Sequence, residues 1–298
     1  MTAARVKLVE VGPRDGLQNE AVTLSVAERC ALITRLAEAG FTTIEAGAFV
    51  SPDKIPQMAD TAEVLAALDL KSPIAYPVLV PNDKGLSAAL AAGAREISVF
   101  AAASDTFSLK NIGVTVDDSL ARYEPVVRRA LGAGLLVRGY VSCVAGCPYE
   151  GHVDPERVAD VAGALWEMGC DEISLGDTIG TGTPNTILAV LDAVEDRVPV
   201  AQLAGHFHDT YGMASANVYA AWRAGVSTFD GSVAGLGGCP YARGAAGNVA
   251  SEDLVWLFKG LGVETGVDLT RLIEVAYWIS QRLGREPASR VARALAPH

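Results

Sequence analysis

The sequence predicts a closed parallel (β/α)₈ barrel, in which eight strands alternate with helices around one core. Three observations support this fold class. An amphipathic helix that ends at a small residue or methionine and a glycine, followed by a short apolar strand, recurs along the chain. The units are spaced by roughly 25–40 residues, as expected for strand–helix repeats of this barrel. No linker, low-complexity tract or shift in composition divides the chain.

Four glycines mark the clearest helix ends. The pairs Ala39-Gly40, Ala92-Gly93, Met168-Gly169 and Ala224-Gly225 each stand before a short apolar run. Glycine directly after a helix supplies the left-handed conformation that ends it, so each pair predicts a helix terminus.

The remaining elements follow from apolar runs between these ends. The predicted strands are Lys7–Val11, Thr43–Glu45, Ile74–Leu79, Glu96–Phe100, Leu135–Ser142, Glu172–Asp177, Leu203–His208 and Thr228–Asp230. Helices are predicted between them, for example Val26–Ala39, Pro155–Met168 and Met213–Ala224. The barrel is expected over about residues 5–262 and extra C-terminal helices over about 263–298, within one catalytic domain, 1–298. A doubly wound open sheet is the alternative, but no glycine fingerprint follows the first strand.

Composition limits the class of protein and its partners. Half of the 298 residues are hydrophobic and a fifth are charged, as in ordinary globular proteins. The net charge of −11 argues against non-specific nucleic-acid binding and against an anionic membrane surface. Five scattered cysteines indicate reduced thiols. No apolar run approaches the ~20 residues of a membrane span. The first strand leaves no room for a leader, so we expect a cytoplasmic protein.

Polar side chains gather where the predicted strands end. His206 and His208 lie two apart on a strand, so both imidazoles should face one point, which suits a metal ion. Two ordinary histidines, one of them buried, are the alternative interpretation. The other groups are Arg14 and Asp15 after strand one, Glu45 at the end of strand two, Asp177 at the end of strand six, and Cys239 and Asn248 after strand eight. Active sites of such barrels lie at this rim.

Six segments carry a resemblance to a known family. They are 12–20 (GPRDGLQNE), 138–143 (RGYVSC), 146–151 (GCPYEG), 172–180 (EISLGDTIG), 206–212 (HFHDTYG) and 233–242 (VAGLGGCPYA). On these segments the chain resembles the bacterial 3-hydroxy-3-methylglutaryl-CoA lyases, within a superfamily of metal-dependent lyases and Claisen-type synthases. It departs from the family pattern at Gly47-Ala48, Asp53-Lys54 and Gly113-Val114. These departures bear on the acyl group of the substrate more than on the reaction.

The resemblance implies a carbon–carbon lyase. Such an enzyme cleaves 3-hydroxy-3-methylglutaryl-CoA to acetoacetate and acetyl-CoA by a retro-Claisen-type step. The resemblance further implies a divalent cation, Mg²⁺ or Mn²⁺, with Asp15, His206, His208 and Asn248 as its ligands. An acyl-CoA substrate and a homodimer are the implied partners.

Each candidate side chain has an expected role. Arg14 would stabilise the enolate oxygen as a permanently charged, forked donor. Cys239, in a glycine-rich loop, would act as general acid or base, and His206 is counted among the catalytic groups as well as the ligands. Glu45 and Asp177 are expected to orient Arg14, a ligand or a water. The candidate substrate-binding residues are Arg14, Gln18, Tyr140, Ser142, Ser174 and Asn111.

Three other hypotheses remain open at this point. A lyase of the same mechanism could act on a longer or branched 3-hydroxyacyl-CoA. A Claisen synthase or aldolase would share the metal site but should lack the Cys239 loop. The third hypothesis is a protein that is not an enzyme: a barrel that binds CoA or a metal ion without turnover. Glu252 begins the predicted helix after Asn248. It could either stabilise the dipole of that helix or belong to the active site.

Overall fold

A computed structural model describes residues 5–238 and 247–296, and within them eight parallel strands form one sheet. The strands are β1 (Lys7–Glu10), β2 (Gly47–Ala48), β3 (Val78–Leu79), β4 (Glu96–Ala102), β5 (Leu136–Ser142), β6 (Glu172–Asp177), β7 (Leu203–Phe207) and β8 (Thr228–Gly231). Their spatial order is β1-β8-β7-β6-β5-β4-β3-β2. Consecutive strands are therefore neighbours, and β1 also pairs with the last strand.

The two ends of this sheet join, and the barrel closes. The Glu10 N–H donates to the Thr43 carbonyl over 3.0 Å, and the Glu45 N–H donates to the Glu10 carbonyl over 2.9 Å. These bonds connect β1 to the segment that leads into β2. The predicted (β/α)₈ barrel is confirmed.

Eleven α-helices lie in the described ranges. They are α1 (Val26–Glu38), α2 (Thr61–Ala67), α3 (Asp83–Ala91), α4 (Asp105–Ile112), α5 (Val116–Gly132), α6 (Pro155–Glu167), α7 (Pro184–Glu195), α8 (Ala214–Arg223), α9 (Ser251–Gly260), α10 (Leu269–Leu283) and α11 (Arg290–Ala294). α9 follows β8 as the last helix of the barrel repeat, and α10 and α11 are additional. None of the helices in these ranges is both long and apolar enough to cross a bilayer.

The predicted glycine helix ends are present. The φ angles are +107° at Gly40, +80° at Gly93, +102° at Gly169 and +110° at Gly225, all in the region that side-chain-bearing residues avoid. At Gly40 space also requires glycine, because an added Cβ would lie 2.3 Å from the Gly266 carbonyl oxygen. The helix-end glycines of the repeat are therefore required by the positive φ angles of the backbone at these positions.

One predicted strand is displaced in the structure. The prediction places the second strand at Thr43–Glu45, but its ladder lies at Gly47–Ala48, and Thr43 and Ile44 form only isolated bridges. Asn111, a candidate substrate-binding residue, lies in α4, which is inserted between β4 and α5. This short helix has its own ends: the Ser104 side chain accepts the Phe107 N–H, and Gly113 adopts φ +77°.

Candidate active site

Three side chains that could hold a metal ion meet at the carboxyl end of the barrel. Asp15 lies in a tight π-helical turn, Gly12–Gly16, directly after β1, while His206 ends β7 and His208 follows it. One potential ligand atom from each of these three side chains lies within 4.8 Å of the others. The two imidazole centroids are 5.4 Å apart, as strand alternation predicts.

The turn that carries Asp15 is held against the loop after β8. A Cβ added at Gly16 would lie 2.8 Å from both the Ser232 Oγ and the Leu236 Cβ, so only glycine fits there. The Gly12 N–H donates to Glu10 Oε1 over 2.8 Å. The backbone around Asp15 is therefore fixed from both sides.

Asp15 is the electrostatic centre of the cluster. Its carboxylate accepts hydrogen bonds from Arg14 Nη1 at 2.7 Å, Gln18 Nε2 at 3.2 Å and Asn248 Nδ2 at 2.8 Å. Burial opposes its charge, but Arg14, the two histidines and Asn248 outweigh that effect and lower the pKa of Asp15 to about 2. It is thus ionised at any physiological pH, as a cation ligand must be.

Asn248 completes a donor set that fits a divalent cation. Its amide nitrogen lies 2.8 Å from Asp15 Oδ2 and 3.4 Å from the Leu236 carbonyl oxygen. Its Oδ1 is buried and has no hydrogen-bond partner within the described part of the chain. An orphaned buried oxygen beside a carboxylate and two imidazoles fits a mixed nitrogen and oxygen site. The residues present therefore suit the cation that the resemblance implies.

Arg14 is buried and bridges two carboxylates. Its Nε donates to Glu45 Oε2 over 2.7 Å and its Nη1 to Asp15 Oδ1 over 2.7 Å. Burial acts against the charged guanidinium, but Glu45 and Asp15 raise the pKa of Arg14 above its ordinary value. The Tyr140 ring lies 5.6 Å from the guanidinium carbon. Glu45 also accepts the Ser98 hydroxyl over 3.1 Å, so a carboxylate of fixed orientation aims the arginine.

Asp230 and Arg138 form a second buried layer that sequence reasoning missed. Asp230 Oδ2 lies 3.0 Å from His206 Nδ1, and its Oδ1 accepts from Arg138 Nη2 over 2.7 Å. Burial opposes the negative charge, but Arg138 and His206 lower the pKa of Asp230. The available sequence signal was a charged residue at an inward-facing strand position on both β5 and β8.

A cavity of about 400 Å³ opens above this cluster. Four of the predicted substrate-binding residues besides Arg14 line it: Gln18, Asn111, Tyr140 and Ser142. The apolar part of its wall includes Val50, Ile55, Leu79, Phe100, Phe107 and Val141. A polar floor beneath an apolar wall is the usual form of a small-molecule site.

Four of the predicted site residues that the structure describes do not line the cavity, and one of them is Asn248, which contacts Asp15. Ser174 is fully buried and donates to Asp230 Oδ2 over 3.1 Å. Glu45 reaches the site only through Arg14 and Tyr140. The Asp177 carboxylate accepts the Thr181 and Gly182 N–H groups at 3.1 and 2.8 Å, and burial raises its pKa to about 6. Asp177 therefore holds the loop after β6, while its carbonyl accepts the His208 N–H.

Cys239, the predicted acid or base, lies outside the described residues. Gly238, just before it, lines the cavity, and its carbonyl accepts the Asn19 side chain over 3.0 Å. A Cβ on Gly237 would lie 3.0 Å from Asn248 Nδ2. The described residues before and after the segment that bears Cys239, Gly237 and Asn248, therefore lie next to each other and close to Asp15.

Two buried glutamates support the start of that segment. Glu10 Oε1 accepts the Val233 N–H over 2.9 Å, and Glu252 Oε1 accepts the Ala234 N–H over 2.8 Å. Ala234 has φ +59°, which is strained for a residue with a side chain. Burial raises the pKa of Glu10 to about 7 and that of Glu252 to about 8.

These pKa values predict a loss of stability at alkaline pH. Both groups bind a proton more tightly in the folded than in the unfolded chain, so their contribution is full below pH 4.5 and disappears as the pH rises through 7 to 8. For Glu252 alone the free energy of unfolding should fall by about 3 kcal/mol from about pH 6 to about pH 9. Glu252→Gln, a neutral isostere that keeps the Ala234 contact, should flatten the decline. Chemical denaturation at several pH values measures it; an unchanged slope in the variant would contradict the assignment.

The chain is similar to known proteins over almost its whole length. The HMGL-like family model matches residues 5–279. The hydroxymethylglutaryl-CoA lyase of Pseudomonas mevalonii is 57% identical over 291 residues, which cover 98% of this chain and 97% of that protein. A protein of Pseudomonas aeruginosa named 3-hydroxy-3-isohexenylglutaryl-CoA/hydroxymethylglutaryl-CoA lyase is 53% identical over the same shares. The crystal structure of a Pseudomonas aeruginosa hydroxymethylglutaryl-CoA lyase superposes with a TM-score of 0.96 at 52% identity and covers 99% of both chains.

Proposed function

The chain belongs to the HMGL-like family, and from this premise we propose that it cleaves 3-hydroxy-3-methylglutaryl-CoA to acetoacetate and acetyl-CoA. It is a carbon–carbon lyase in which one catalytic domain carries the whole site. The observation that carries the proposal is the cluster of Asp15, His206 and His208 beside the buried Arg14, at the floor of the cavity. The identity of 53–57% to lyases that are named for this reaction supports it.

The proposed cation site consists of Asp15, His206, His208 and Asn248. Mg²⁺ or Mn²⁺ is the proposed ion, since the set mixes oxygen and nitrogen donors. When bound, the cation supplies Lewis-acid polarisation of the C3 hydroxyl of the substrate. Asp15 contributes the negative charge of the set, and its three hydrogen bonds keep the carboxylate in place.

The chemical step breaks the bond between C2 and C3. The C3 hydroxyl loses its proton, the C3 carbon becomes the ketone of acetoacetate, and the electron pair moves to the enolate of acetyl-CoA. Arg14 donates its remaining guanidinium hydrogens to the enolate oxygen, where the negative charge develops. Glu45 and Asp15 hold the guanidinium in one orientation, so no reorganisation is needed during the reaction.

Cys239 is the proposed proton carrier. It accepts the hydroxyl proton or protonates the enolate carbon, as general acid–base chemistry requires. Its position in sequence supports this role, because Gly238 lines the cavity. The described cysteines Cys143, Cys147 and Cys170 are buried in the protein core and are poor alternatives.

Replacement of Cys239 tests the proton step. We expect Cys239→Ser to lower kcat by about 100-fold, because a serine hydroxyl exchanges protons poorly near neutral pH. Manganese affinity should be unchanged, since Cys239 is not a proposed ligand. Cys30→Ser, on α1 and outside the cavity, is the matched control. A Cys239→Ser enzyme as fast as the wild type would remove the assigned role.

Acetoacetate release from 3-hydroxy-3-methylglutaryl-CoA is the direct test of the proposed function. The assay contains Mg²⁺ or Mn²⁺ and a thiol reductant, and a parallel sample contains a chelator. Turnover that needs the metal is the expected result. Metal binding without cleavage of any acyl-CoA would favour a binding protein, and condensation of acetyl-CoA with a 2-oxo acid would favour a synthase.

A longer substituent at C3 is the second candidate substrate class. One relative is named for an isohexenyl as well as a methyl substrate, and the cavity has an apolar wall that includes Val50, Ile55 and Phe107. The panel should therefore contain 3-hydroxy-3-isohexenylglutaryl-CoA. Turnover of the methyl compound alone rejects this class.

We further propose a cytoplasmic homodimer, as the resemblance to bacterial lyases implies. Light scattering coupled to size-exclusion chromatography tests the assembly, with a mass of about twice the 31.0 kDa of the chain as the expected result. A mass equal to that of one chain would contradict it.

A further inference from the structure

We infer that Asp230 is a positioning residue for the metal site, and that it fixes the tautomer of His206. This inference rests on the proposed function only for the identity of the site. Asp230 lies at the end of β8 and is 1% exposed, and Arg138 on β5 is 3% exposed. Neither residue lines the cavity among the described residues, so both act through His206.

The hydrogen bonds decide which ring nitrogen carries the proton. An ionised carboxylate is only an acceptor, so the 3.0 Å contact from His206 Nδ1 to Asp230 Oδ2 requires a proton on Nδ1. In the neutral ring Nε2 then holds the lone pair. This nitrogen lies 3.9 Å from Asp15 Oδ2, on the side of the metal cluster. The ring therefore offers its ligating atom to the cation before the cation arrives.

Arg138 and Ser174 keep Asp230 in this role. Arg138 Nη2 donates to Asp230 Oδ1 over 2.7 Å, and the Ser174 hydroxyl donates to Oδ2 over 3.1 Å. Oδ2 thus faces two donors and Oδ1 faces a guanidinium, so both oxygens are needed as acceptors. Such outer partners of a ligating histidine raise its basicity and fix its orientation.

Asp230→Asn should invert the tautomer of His206. An amide has one acceptor oxygen, and the buried Arg138 guanidinium requires it at the position of Oδ1. The amide nitrogen is then left facing His206 Nδ1 as a donor. Nδ1 must accept, the ring proton moves to Nε2, and the lone pair turns away from the cation. We expect Mn²⁺ binding to weaken by about 10- to 100-fold.

Glu172→Gln is the matched control. Glu172 is the other carboxylate beside Arg138, with Oε1 at 2.9 Å from Arg138 Nε. The same acid-to-amide change is made at the same arginine but without contact to His206. This variant should keep the wild-type tautomer and manganese affinity. Any change in either quantity measures the effect of disturbing Arg138 alone.

The tautomer is measured in the metal-free protein by ¹H–¹⁵N spectra of the imidazole rings, at a pH where the rings are neutral. The chain has only four histidines, so single substitutions assign the signals. The wild type should show the proton of His206 on Nδ1, and Asp230→Asn should show it on Nε2. Manganese dissociation constants are measured on the same samples by isothermal titration.

Two results would overturn the inference. One is a wild-type His206 that carries its proton on Nε2, which can be seen even if Asp230→Asn fails to fold. The other is a folded Asp230→Asn protein that binds Mn²⁺ as tightly as the wild type. Neither measurement uses an acyl-CoA, so failure of the proposed function would appear separately, as a wild-type protein with the expected tautomer but no cleavage.

Discussion

Asp15→Asn is expected to lower kcat by about 1000-fold or more and to weaken Mn²⁺ binding strongly. Asp15 is the only anionic residue among the four proposed ligands, and the cation's contribution to the transition state is several kcal/mol. An asparagine has one acceptor oxygen, but Arg14, Gln18 and Asn248 all donate to this side chain. The variant therefore loses the charge and also disturbs the arginine.

Activity assays over a range of metal concentrations, with calorimetric metal titration, measure this effect. Asp209→Asn is the matched control, because Asp209 follows His208 directly but its carboxylate contacts Arg290 at 2.8 Å and the Ala214 N–H at 3.0 Å. The control should keep wild-type metal affinity. If Asp15→Asn also bound Mn²⁺ normally, the proposed ligand set would be wrong.

Arg14→Lys is expected to lower kcat by about 100- to 1000-fold with a smaller change in KM. A lysine keeps the positive charge, but its single nitrogen cannot occupy the positions of both Nε and Nη1 of Arg14, which serve Glu45 and Asp15 separately, and also reach the enolate oxygen. The lost interaction forms with charge that develops in the transition state, so its loss appears in kcat.

The control for this variant is Arg29→Lys. Arg29 is also buried, 1% exposed, but it donates to the Ala59 carbonyl and the Thr61 hydroxyl behind β2. Its replacement should lower the melting temperature and leave kcat close to that of the wild type. A fall in kcat of less than tenfold for Arg14→Lys would leave enolate stabilisation to other groups.

The barrel could be predicted because its repeat is local. A helix that ends at a glycine and is followed by an apolar run can be recognised from neighbouring residues alone. At Gly40, the first of the four helix-end glycines, the positive φ angle explains why glycine is required. Strand alternation likewise placed His206 and His208 on one side. The position of β2 was not predictable in the same way, because its ladder depends on neighbours such as Val78 across the sheet.

The contact between Asp230 and Arg138 could not be predicted from the sequence, because it depends on how the strands are arranged around the barrel. Asp230 and Arg138 are 92 positions apart, and only the circular order of the strands brings them together. The position of Asp177, in contrast, could be predicted from the alternation of side chains along β6. Ser174 and Gly176 lie on one side of this strand, so Asp177 lies on the other. The structure accordingly directs its carboxylate to the loop after β6.

The described residues on the two sides of the Cys239 segment lie close together, and this bears on how enzymes of this family diversify. Gly237 lies against Asn248, the Asp209 N–H donates to the Gly247 carbonyl, and the Val249 N–H donates to the Phe207 carbonyl. A segment whose ends already touch can gain or lose residues at small entropic cost, since closure entropy grows only slowly with length. The proposed ligand Asn248 would stay in place. Exchange of this segment between relatives would therefore change the group that carries the proton, here the proposed Cys239, without moving the proposed cation site.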